Sequence, residues 1–278
     1  MIGLSRQALA GGTSRHVACD LREAQRTTAV IRELQPDVVI HTQALSDVDR
    51  CEQEPVLAHQ MNVETTQHLI DALEGTSAFL LHVSTDYVFD GRKGSAYDET
   101  DAPHPISIYG RVKLEAEQLA LRYARSVIIR PSTLFGPGRM NFCDYIVTRL
   151  KARQPVEAFV DQVTSPTYTE DMAQAMAELL PALTTHALTS TLPERVLHLT
   201  SAGRCSRVEF AWRVAEFIGT GREHIRGIRM AEQRRPAMRP AYSALTSRYV
   251  TRIIRRSLPS WDSALQAYLR QYHSLNLA

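Results

Sequence analysis

The feature that most constrains this chain is an apolar run that ends in three polar residues. Residues 78–83 do not alternate between apolar and polar side chains, which predicts a strand buried on both faces of a parallel sheet. Ser84, Thr85 and Asp86 follow this run directly. Open α/β sheets bind their ligands at the carboxyl ends of their strands, so these side chains are predicted to lie at a ligand site.

A tyrosine and a lysine spaced four positions apart open the next predicted helix. Positions four apart share a helix face, so Lys113 is expected beside the phenol of Tyr109. A neighbouring ammonium favours phenolate and should lower the phenol pKa from its usual value of about 10. Tyr109 is then predicted to protonate a carbonyl oxygen as hydride reaches the carbon, with the Thr85 hydroxyl holding that oxygen. The spacing alone also arises by chance, and it gains meaning from the strand that precedes it.

The unbroken stretch Ser84-Thr-Asp-Tyr-Val-Phe-Asp-Gly91, followed by Tyr-x-x-x-Lys, resembles a known family. It is similar to the extended short-chain dehydrogenases/reductases, most closely to their dTDP-4-dehydrorhamnose reductase-like branch. The resemblance covers most of the chain and implies a catalytic triad of Thr85, Tyr109 and Lys113. It also implies an NADP-dependent oxidoreductase, with NAD as the alternative cofactor, that reduces a 4-keto nucleotide sugar in deoxysugar or polysaccharide biosynthesis.

The same resemblance indicates which residues contact the substrate. Dehydratases of this superfamily usually carry Thr-Asp-Glu at the strand end. This chain has Asp86 and Tyr87 after the threonine, so we expect both to face the substrate and do not expect 4,6-dehydration. Epimerisation stays open. Residues 161–168 resemble the family segment Asp-Gln-x-x-x-Pro-Thr, which makes Gln162 a candidate sugar-nucleotide contact.

A further segment, residues 235–245, resembles the Arg-Pro-x-x-Ser-x-Leu signature of the branch. An arginine near the substrate diphosphate is expected there. A guanidinium group binds phosphate oxygens in a bidentate manner, so Arg239 is the candidate. A proline-rich surface loop would give the same sequence.

The rest of the chain alternates predicted strands with predicted helices. Strands are predicted at 37–41, 126–130, 156–160, 196–199 and 225–229, and helices at 23–35, 62–73, 109–125, 142–152, 206–218 and 262–272. Such alternation calls for a parallel sheet with helices on both faces. We therefore predict an α/β fold with a Rossmann-like doubly wound parallel sheet lacking its first strand in residues 1–160. Residues 161–278 should form a small C-terminal α/β substrate lobe, of which 171–200 return to the core.

The front of the chain departs from a complete dinucleotide fold. Such a fold needs a first strand, a glycine-rich turn and a helix, so that backbone N–H groups reach the pyrophosphate. No G-x-G-x-x-G motif occurs, and Gly11-Gly12 has the wrong spacing. By resemblance, residues 1–6 are the second strand of the fold. Because the first strand is central in the 3-2-1-4-5-6 order, its loss should separate strands 2 and 3 from strand 4.

Two interpretations of this absence stay open. In one, the sequence starts downstream of the first strand of an ordinary enzyme. In the other, a short protein has lost tight cofactor binding. The second interpretation favours an alternative function, namely a non-catalytic binding subunit resembling the regulatory β subunit of methionine adenosyltransferase.

Cofactor preference depends on the end of the second strand, where an arginine accommodates the 2′-phosphate of NADP. Arg6 occupies that position, although a surface arginine would look the same. The other cofactor contacts implied by the resemblance are Asp20, Leu21, Ala44, Asn62, Ser84 and Pro131, beside Tyr109 and Lys113. Asp20 and Asn62 would serve equally as helix N-caps, and Pro131 as part of a rigid turn.

Composition excludes several classes of partner. A net charge of +2 over 278 residues gives no reason to expect nucleic acid or an acidic membrane surface. No apolar run of about 18 residues and no signal-peptide pattern occurs, which predicts a cytoplasmic protein. The four cysteines lack metal-ligand spacing, so we expect reduced thiols and no metal site. The expected partner is a small nucleotide sugar, and a homodimer is compatible with the sequence.

Overall fold

The computed structural model describes residues 1–6, 15–184 and 195–273. The strands are β1 (Ile2–Ser5), β2 (Arg15–Ala18), β3 (Val38–His41), β4 (Phe79–Val83), β5 (Ser126–Arg130), β6 (Leu134–Phe135), β7 (Val156–Phe159), β8 (Val163–Thr164), β9 (Thr167–Tyr168), β10 (Val196–His198), β11 (Cys205–Ser206) and β12 (Ile225–Ile228). The α-helices are α1 (Ala24–Leu34), α2 (Val48–Gln53), α3 (Pro55–His59), α4 (Thr65–Leu73), α5 (Ile108–Arg122), α6 (Phe142–Lys151), α7 (Thr169–Thr184), α8 (Arg207–Phe217), α9 (Val250–Ile253) and α10 (Trp261–Tyr272).

The main sheet is parallel and runs in the order β10-β5-β4-β3, with β4 inside it. Successive side chains of a strand point to opposite faces. Phe79 and Leu81 therefore pack in one cluster with Met172 and Leu179 of α7. Leu80 packs on the other face, against α1, α4 and α5. Both faces are covered, which explains why the run is apolar throughout and confirms the predicted parallel α/β sheet.

The strands β1 and β2 form a separate parallel pair. Neither pairs with β3 in the described part of the chain, so residues 1–6 are separated from the main sheet as expected. The predicted separation of the third strand from the fourth is wrong, because residues 37–41, which were expected to be that third strand, form β3 and pair with β4. Ile2 on β1 and Ile40 on β3 are 40% and 38% exposed, unlike the buried side chains of β4. The sequence analysis did not identify β2 as a strand, and Gly11-Gly12 lies outside the described residues.

Two predicted helix caps are wrong. Helical backbone runs from Pro55 to Leu73, with a π-helical turn over Gln60–Glu64, so Asn62 lies inside the helix and not at its start. The N-cap of α1 is Glu23, whereas Asp20 accepts hydrogen bonds from the backbone and the guanidinium of Arg22.

A second core is built by α6, α8 and α10 around β7 and the paired β12. The elements α6 and β7, which lie within the predicted residues 1–160, thus pack with the C-terminal lobe. The helix α8 starts with a capping box, in which Ser206 and Glu209 each accept a hydrogen bond from the other's backbone N–H. By contrast, α7 and β10 belong to the main sheet and its packing cluster. No helix in the described ranges is long and apolar enough to cross a membrane.

Candidate active site

The predicted triad converges on the carboxyl end of β4. The Lys113 ammonium donates a hydrogen bond of 2.7 Å to the carbonyl of Val83, two residues before Thr85. The Tyr109 phenol lies within hydrogen-bonding reach of the Thr85 hydroxyl. All three side chains are at least nine-tenths buried. The strand and the first turns of α5 therefore bring a hydroxyl, a phenol and an ammonium together.

Local sequence explains how α5 comes so close to the strand end. Ser107 caps the helix by accepting a hydrogen bond from the backbone N–H of Gly110. A Cβ atom at Gly110 would lie 2.3 Å from the carbonyl oxygen of Tyr87, which no side chain could tolerate. Glycine at this position therefore lets the helix pack against the residues after β4, with Tyr109 and Lys113 on its inner face.

Burial governs the protonation of both groups. It raises the pKa of Tyr109. A hydrogen bond donated by Thr85 would lower this pKa, and the negative charge of Asp86 raises it further. The expected lowering of the Tyr109 pKa is therefore wrong for this structure. Burial also lowers the pKa of Lys113 to about 8, against the opposing effect of Glu117. Near neutral pH the site holds a protonated phenol, which is the state that a proton donor requires.

Two buried histidines lie beneath the lysine. The Nε2 atom of His82 is 3.4 Å from the Lys113 ammonium, and the His41 ring lies 5.1 Å from the His82 ring. Burial, followed by the charge of Lys113, lowers the pKa of both histidines, so both are neutral. A neutral His82 can accept a proton of the ammonium. With Val83 accepting another, one ammonium proton remains for a ligand.

Asp86 is a buried hydrogen-bond acceptor and does not line the open cavity. Its Oδ1 atom lies 3.2 Å from the Thr85 hydroxyl, and its Oδ2 atom accepts from Ser132 at 2.8 Å and from Ser243 at 2.5 Å. Its backbone N–H donates to the carbonyl of Pro131. The carboxyl group therefore joins the ends of β4 and β5 to a loop of the C-terminal lobe.

A cavity of about 630 Å³ opens beside Tyr87, whose ring meets the Tyr109 ring edge-on at 5.7 Å. This volume lies within the range of small-molecule sites, about 300–1,000 Å³. Its wall is rich in guanidinium groups. The arginines that line it are Arg149, Arg207, Arg226, Arg235 and Arg239. The cavity is therefore suited to an anionic ligand. Thr85, Tyr109 and Lys113 do not line it, and Tyr87 is the residue that connects its wall to the Tyr109 ring.

Three of these arginines contact neutral groups rather than carboxylates, and one of them, Arg149, donates to the carbonyl of Pro155 at 3.0 Å. Arg207 donates to the side-chain oxygen of Gln162 at 3.3 Å, and Gln162 also lines the cavity. Arg235 lies over the ring of Phe159, with its guanidinium carbon 5.0 Å from the ring centre. Burial, followed by the charge of Arg239, lowers the pKa of Arg235. An anion placed between these guanidinium groups would be stabilised.

Arg239 lines the same cavity, but Asp49 of α2 holds its guanidinium. The two form a bidentate ion pair at 2.9 and 2.7 Å, and the backbone N–H of Ala237 donates to the same carboxylate. The Arg239 side chain is only 10% exposed. The hydrogen bond from Arg239 lowers the pKa of Asp49, which keeps the pair charged. In this structure Arg239 therefore joins its C-terminal loop to α2.

The residues expected near a cofactor lie along the ends of β3 and β4. Asn62 accepts from the backbone N–H of Leu45 at 3.0 Å and so fixes the loop that contains Ala44. The Ser84 hydroxyl is buried and has no hydrogen-bond partner among the described residues. An unpartnered buried hydroxyl at a strand end fits the polar edge of a bound nicotinamide or ribose.

The residues expected near the adenosine of the cofactor are more exposed to solvent. Arg6 at the end of β1 is exposed and lies close enough to lower the pKa of Asp20, after the larger effect of Arg22. The carbonyl of Leu21 accepts from His68. Two arginines therefore flank the expected position of the ribose phosphate.

Sequence reasoning missed Ser243, Arg207, Asp49 and His82 as members of the site. Ser243 is the serine of the Arg-Pro-x-x-Ser-x-Leu signature, yet nothing in the sequence links it to Asp86, 157 positions away. Three of the five arginines on the cavity wall lie in the arginine-rich segment 222–239, namely Arg226, Arg235 and Arg239.

Residues 3–274 match the family described as the RmlD substrate binding domain. The chain belongs to this family. It is 35% identical over 256 residues to the dTDP-4-dehydrorhamnose reductase of Mycobacterium tuberculosis, covering 90% of this chain and 81% of the relative. It is also 35% identical over 243 residues to the spore coat polysaccharide biosynthesis protein SpsK of Bacillus subtilis, covering 86% and 81%.

Among solved structures, the dTDP-4-dehydrorhamnose reductase of Bacillus anthracis in complex with NADP superposes with a TM-score of 0.82 at 27% identity. The match covers 93% of this chain and 90% of that one. The predicted family membership and the Rossmann-like fold are thereby confirmed.

Proposed function

We propose that this chain is an NADP-dependent reductase of a 4-keto nucleotide sugar, of the dTDP-4-dehydrorhamnose reductase type. The observation that carries the proposal is the position of Tyr109. Its buried, protonated phenol lies within hydrogen-bonding reach of Thr85, one helical turn before Lys113, and its ring meets that of Tyr87, which lines the arginine-rich cavity. Family membership and the reductase names of the relatives support the same chemistry.

NADPH, when bound, supplies the hydride. The keto carbon gains that hydride, the Tyr109 O–H bond breaks, and the proton passes to the keto oxygen, which leaves an alcohol and a phenolate. The phenolate then regains a proton from water. Lys113, anchored on Val83, would hold a ribose hydroxyl with its remaining proton. The residues at the end of β4 would thus orient the Tyr109 phenol, and the buried hydroxyl of Ser84 would be available to the cofactor.

The substrate diphosphate would bind Arg207 and Arg235. Both guanidinium groups lie on the cavity wall and contact neutral partners, so an anion need not displace a carboxylate. Gln162 and Tyr87 would contact the sugar at the inner end. Arg239 would stabilise the same anion from its position on Asp49. We place the reaction in the cytoplasm, because NADPH and nucleotide sugars are charged and do not cross a bilayer unaided.

The test is NADPH oxidation by the purified chain with dTDP-4-dehydrorhamnose as substrate. We expect turnover by the wild type, and for Arg207→Ala an increase in KM of about tenfold or more with a smaller change in kcat, because a charge-assisted contact to the diphosphate is lost. Arg252→Ala, an exposed arginine on α9 away from the cavity, is the matched control. No turnover in a folded, NADPH-binding wild type would refute the proposal.

A further inference from the structure

The carboxyl group of Asp86 is as deeply enclosed as the Lys113 ammonium at this site. The residue is 2% exposed, and hydroxyl groups from three separate segments surround it. Ser132 and Ser243 both donate to Oδ2, while the Thr85 hydroxyl is the partner of Oδ1. No side chain of the described residues forms an ion pair with it, and Arg207 acts only at longer range.

An ionised carboxylate can accept hydrogen bonds but cannot donate them. Burial raises the pKa of Asp86, and the hydrogen bonds from Ser243, Ser132 and Thr85 oppose that rise. With the carboxylate ionised, the Thr85 hydroxyl donates its single hydrogen to Oδ1. The backbone N–H of Tyr87 already donates to the Thr85 oxygen at 3.2 Å. The Thr85 oxygen therefore has one lone pair remaining, and this lone pair faces the cleft. It can accept a hydrogen bond from Tyr109 and cannot donate one to a ketone.

We infer that Asp86 is a positioning residue, which fixes the direction of the Thr85 hydroxyl so that Thr85 accepts the hydrogen of the Tyr109 phenol. The inference rests on the proposed function, because it assigns Thr85 a role in holding the proton that the reaction consumes. It changes the role expected from sequence, in which Thr85 holds the carbonyl oxygen. In this arrangement Thr85 stabilises the protonated phenol until the ketone takes the proton.

The variant Asp86→Asn reverses this hydrogen bond with little change in shape. Ser132 and Ser243 both need an acceptor, so the amide oxygen should occupy the Oδ2 position. The amide NH₂ then faces Thr85 and donates to it. The Thr85 hydrogen is released towards Tyr109, where it stabilises phenolate. Loss of the negative charge of Asp86 acts in the same direction.

The expected result is a fall in the pKa of Tyr109. The other groups that face the phenol are Tyr87 and Cys51, and the variant leaves both unchanged. We expect the pKa to fall by about one unit or more, measured by the ¹³Cζ chemical shift of labelled tyrosine and assigned with Tyr109→Phe. The alkaline limb of the kcat/KM profile should move to lower pH by the same amount.

Ser243→Ala is the matched control, because it removes one hydrogen bond to Oδ2 and leaves the Thr85 contact in place. We expect its Tyr109 pKa to change by far less than that of Asp86→Asn. Equal shifts in the two variants, or none in Asp86→Asn, would overturn the inference. The chemical-shift titration needs no substrate, so it decides the matter even if the wild type shows no turnover and the proposed function fails.

A second pair of variants covers the case in which Asp86→Asn does not fold. Thr85→Val removes the hydroxyl altogether. If Thr85 accepts from the phenol, its loss lowers the Tyr109 pKa, and Thr85→Ser restores it. If Thr85 instead donates to the phenol oxygen, Thr85→Val raises the pKa, and the inference is wrong.

Discussion

The strands β4 and β1 are both short parallel strands, but their surroundings differ. A strand pairs with β4 on each side, and its residues Phe79 to His82 are all buried. Within the described residues β1 pairs only with β2, and Ile2 is 40% exposed. The residues proposed for proton transfer, Thr85 after β4 and Tyr109 on α5, come together at the carboxyl end of β4. Arg6, which is expected to select the cofactor, follows β1. Proton donation thus depends on a strand that is paired on both sides, whereas cofactor selection depends on a strand that is paired on one side.

Because of this difference, substitutions can change the rate of proton transfer and the affinity for the cofactor separately. Changes at the end of β4 should alter the reaction while the fold and the β1–β2 pair persist. Changes on β1 should alter cofactor affinity and leave the proton donor intact. The predictions below separate the two regions, beginning with the largest effect.

The first prediction concerns the proton donor. Tyr109→Phe should lower kcat by about 100- to 10,000-fold in the NADPH oxidation assay, because general acid catalysis contributes effects of that size. Loss of one hydroxyl should leave the melting temperature nearly unchanged. Tyr123→Phe removes a phenol from the other end of α5, where the hydroxyl donates to the carbonyl of Ala78, and should keep its activity. Equal activity in Tyr109→Phe and the wild type would remove Tyr109 as the acid.

The second prediction compares the two sheets directly. Amide hydrogen exchange depends on local opening, whose free energy ranges from near zero to that of global unfolding. The amides of β4 should exchange near the global limit, since strands pair on both sides. Those of β1 and β2 should exchange faster by on the order of 1,000-fold. Mass spectrometry of peptides covering each strand measures both rates at once.

Added NADPH sharpens this comparison. If the β1–β2 pair contacts the adenosine, bound NADPH should slow exchange there more than in β4. Equal amide protection of β4 and the β1–β2 pair without ligand would mean that both open with the same free energy, which would contradict the prediction.

The third prediction concerns the burial of Lys113, whose pKa falls from 10.5 to about 8 on folding. Below pH 8 the lysine is charged in both states, and folding carries the full desolvation cost. Between about pH 8 and 10.5 only the unfolded chain holds the proton, so the unfolding free energy of the wild type should rise with pH. Lys113→Met should therefore be more stable than the wild type by up to about 3 kcal/mol below pH 8. That advantage should vanish towards pH 10.5.

Urea unfolding at a series of pH values measures this difference. Lys151→Met, an exposed lysine at the end of α6, should show no such pH dependence. A stability difference that stays constant across the range would mean that Lys113 keeps its ordinary pKa in the folded state. The same variant should lose activity at every pH, because the ammonium that anchors on Val83 is gone.

The sequence predicted the end of β4 well because its signals are local. A strand buried on both faces must be apolar throughout, and Tyr109 and Lys113 share a helix face because they are four positions apart. Gly110, which lets α5 approach Tyr87, lies between them. These relations extend over a few residues, so a single sequence records them.

The pairings across the cleft could not be predicted in the same way. Arg239 and Asp49 are 190 positions apart, and Asp86 and Ser243 are 157 apart. Each pair forms because the fold brings two segments together, and no periodicity marks either partner. The pKa of Tyr109 was predicted in the wrong direction for a related reason. The ammonium was visible in the sequence, whereas the depth of burial was not.

The last prediction concerns β1 and has the smallest effect. Arg6 is exposed, so its contribution to binding the 2′-phosphate should be about 1 kcal/mol, or about fivefold in affinity. Arg6→Ala should raise the KM for NADPH by that factor and leave the KM for NADH and kcat unchanged. Arg15→Ala on β2, whose guanidinium lies 4.0 Å from Glu33, is the control for a general loss of positive charge. If Arg6→Ala weakened both cofactors equally, Arg6 would act through the β1–β2 pair itself and not on the phosphate.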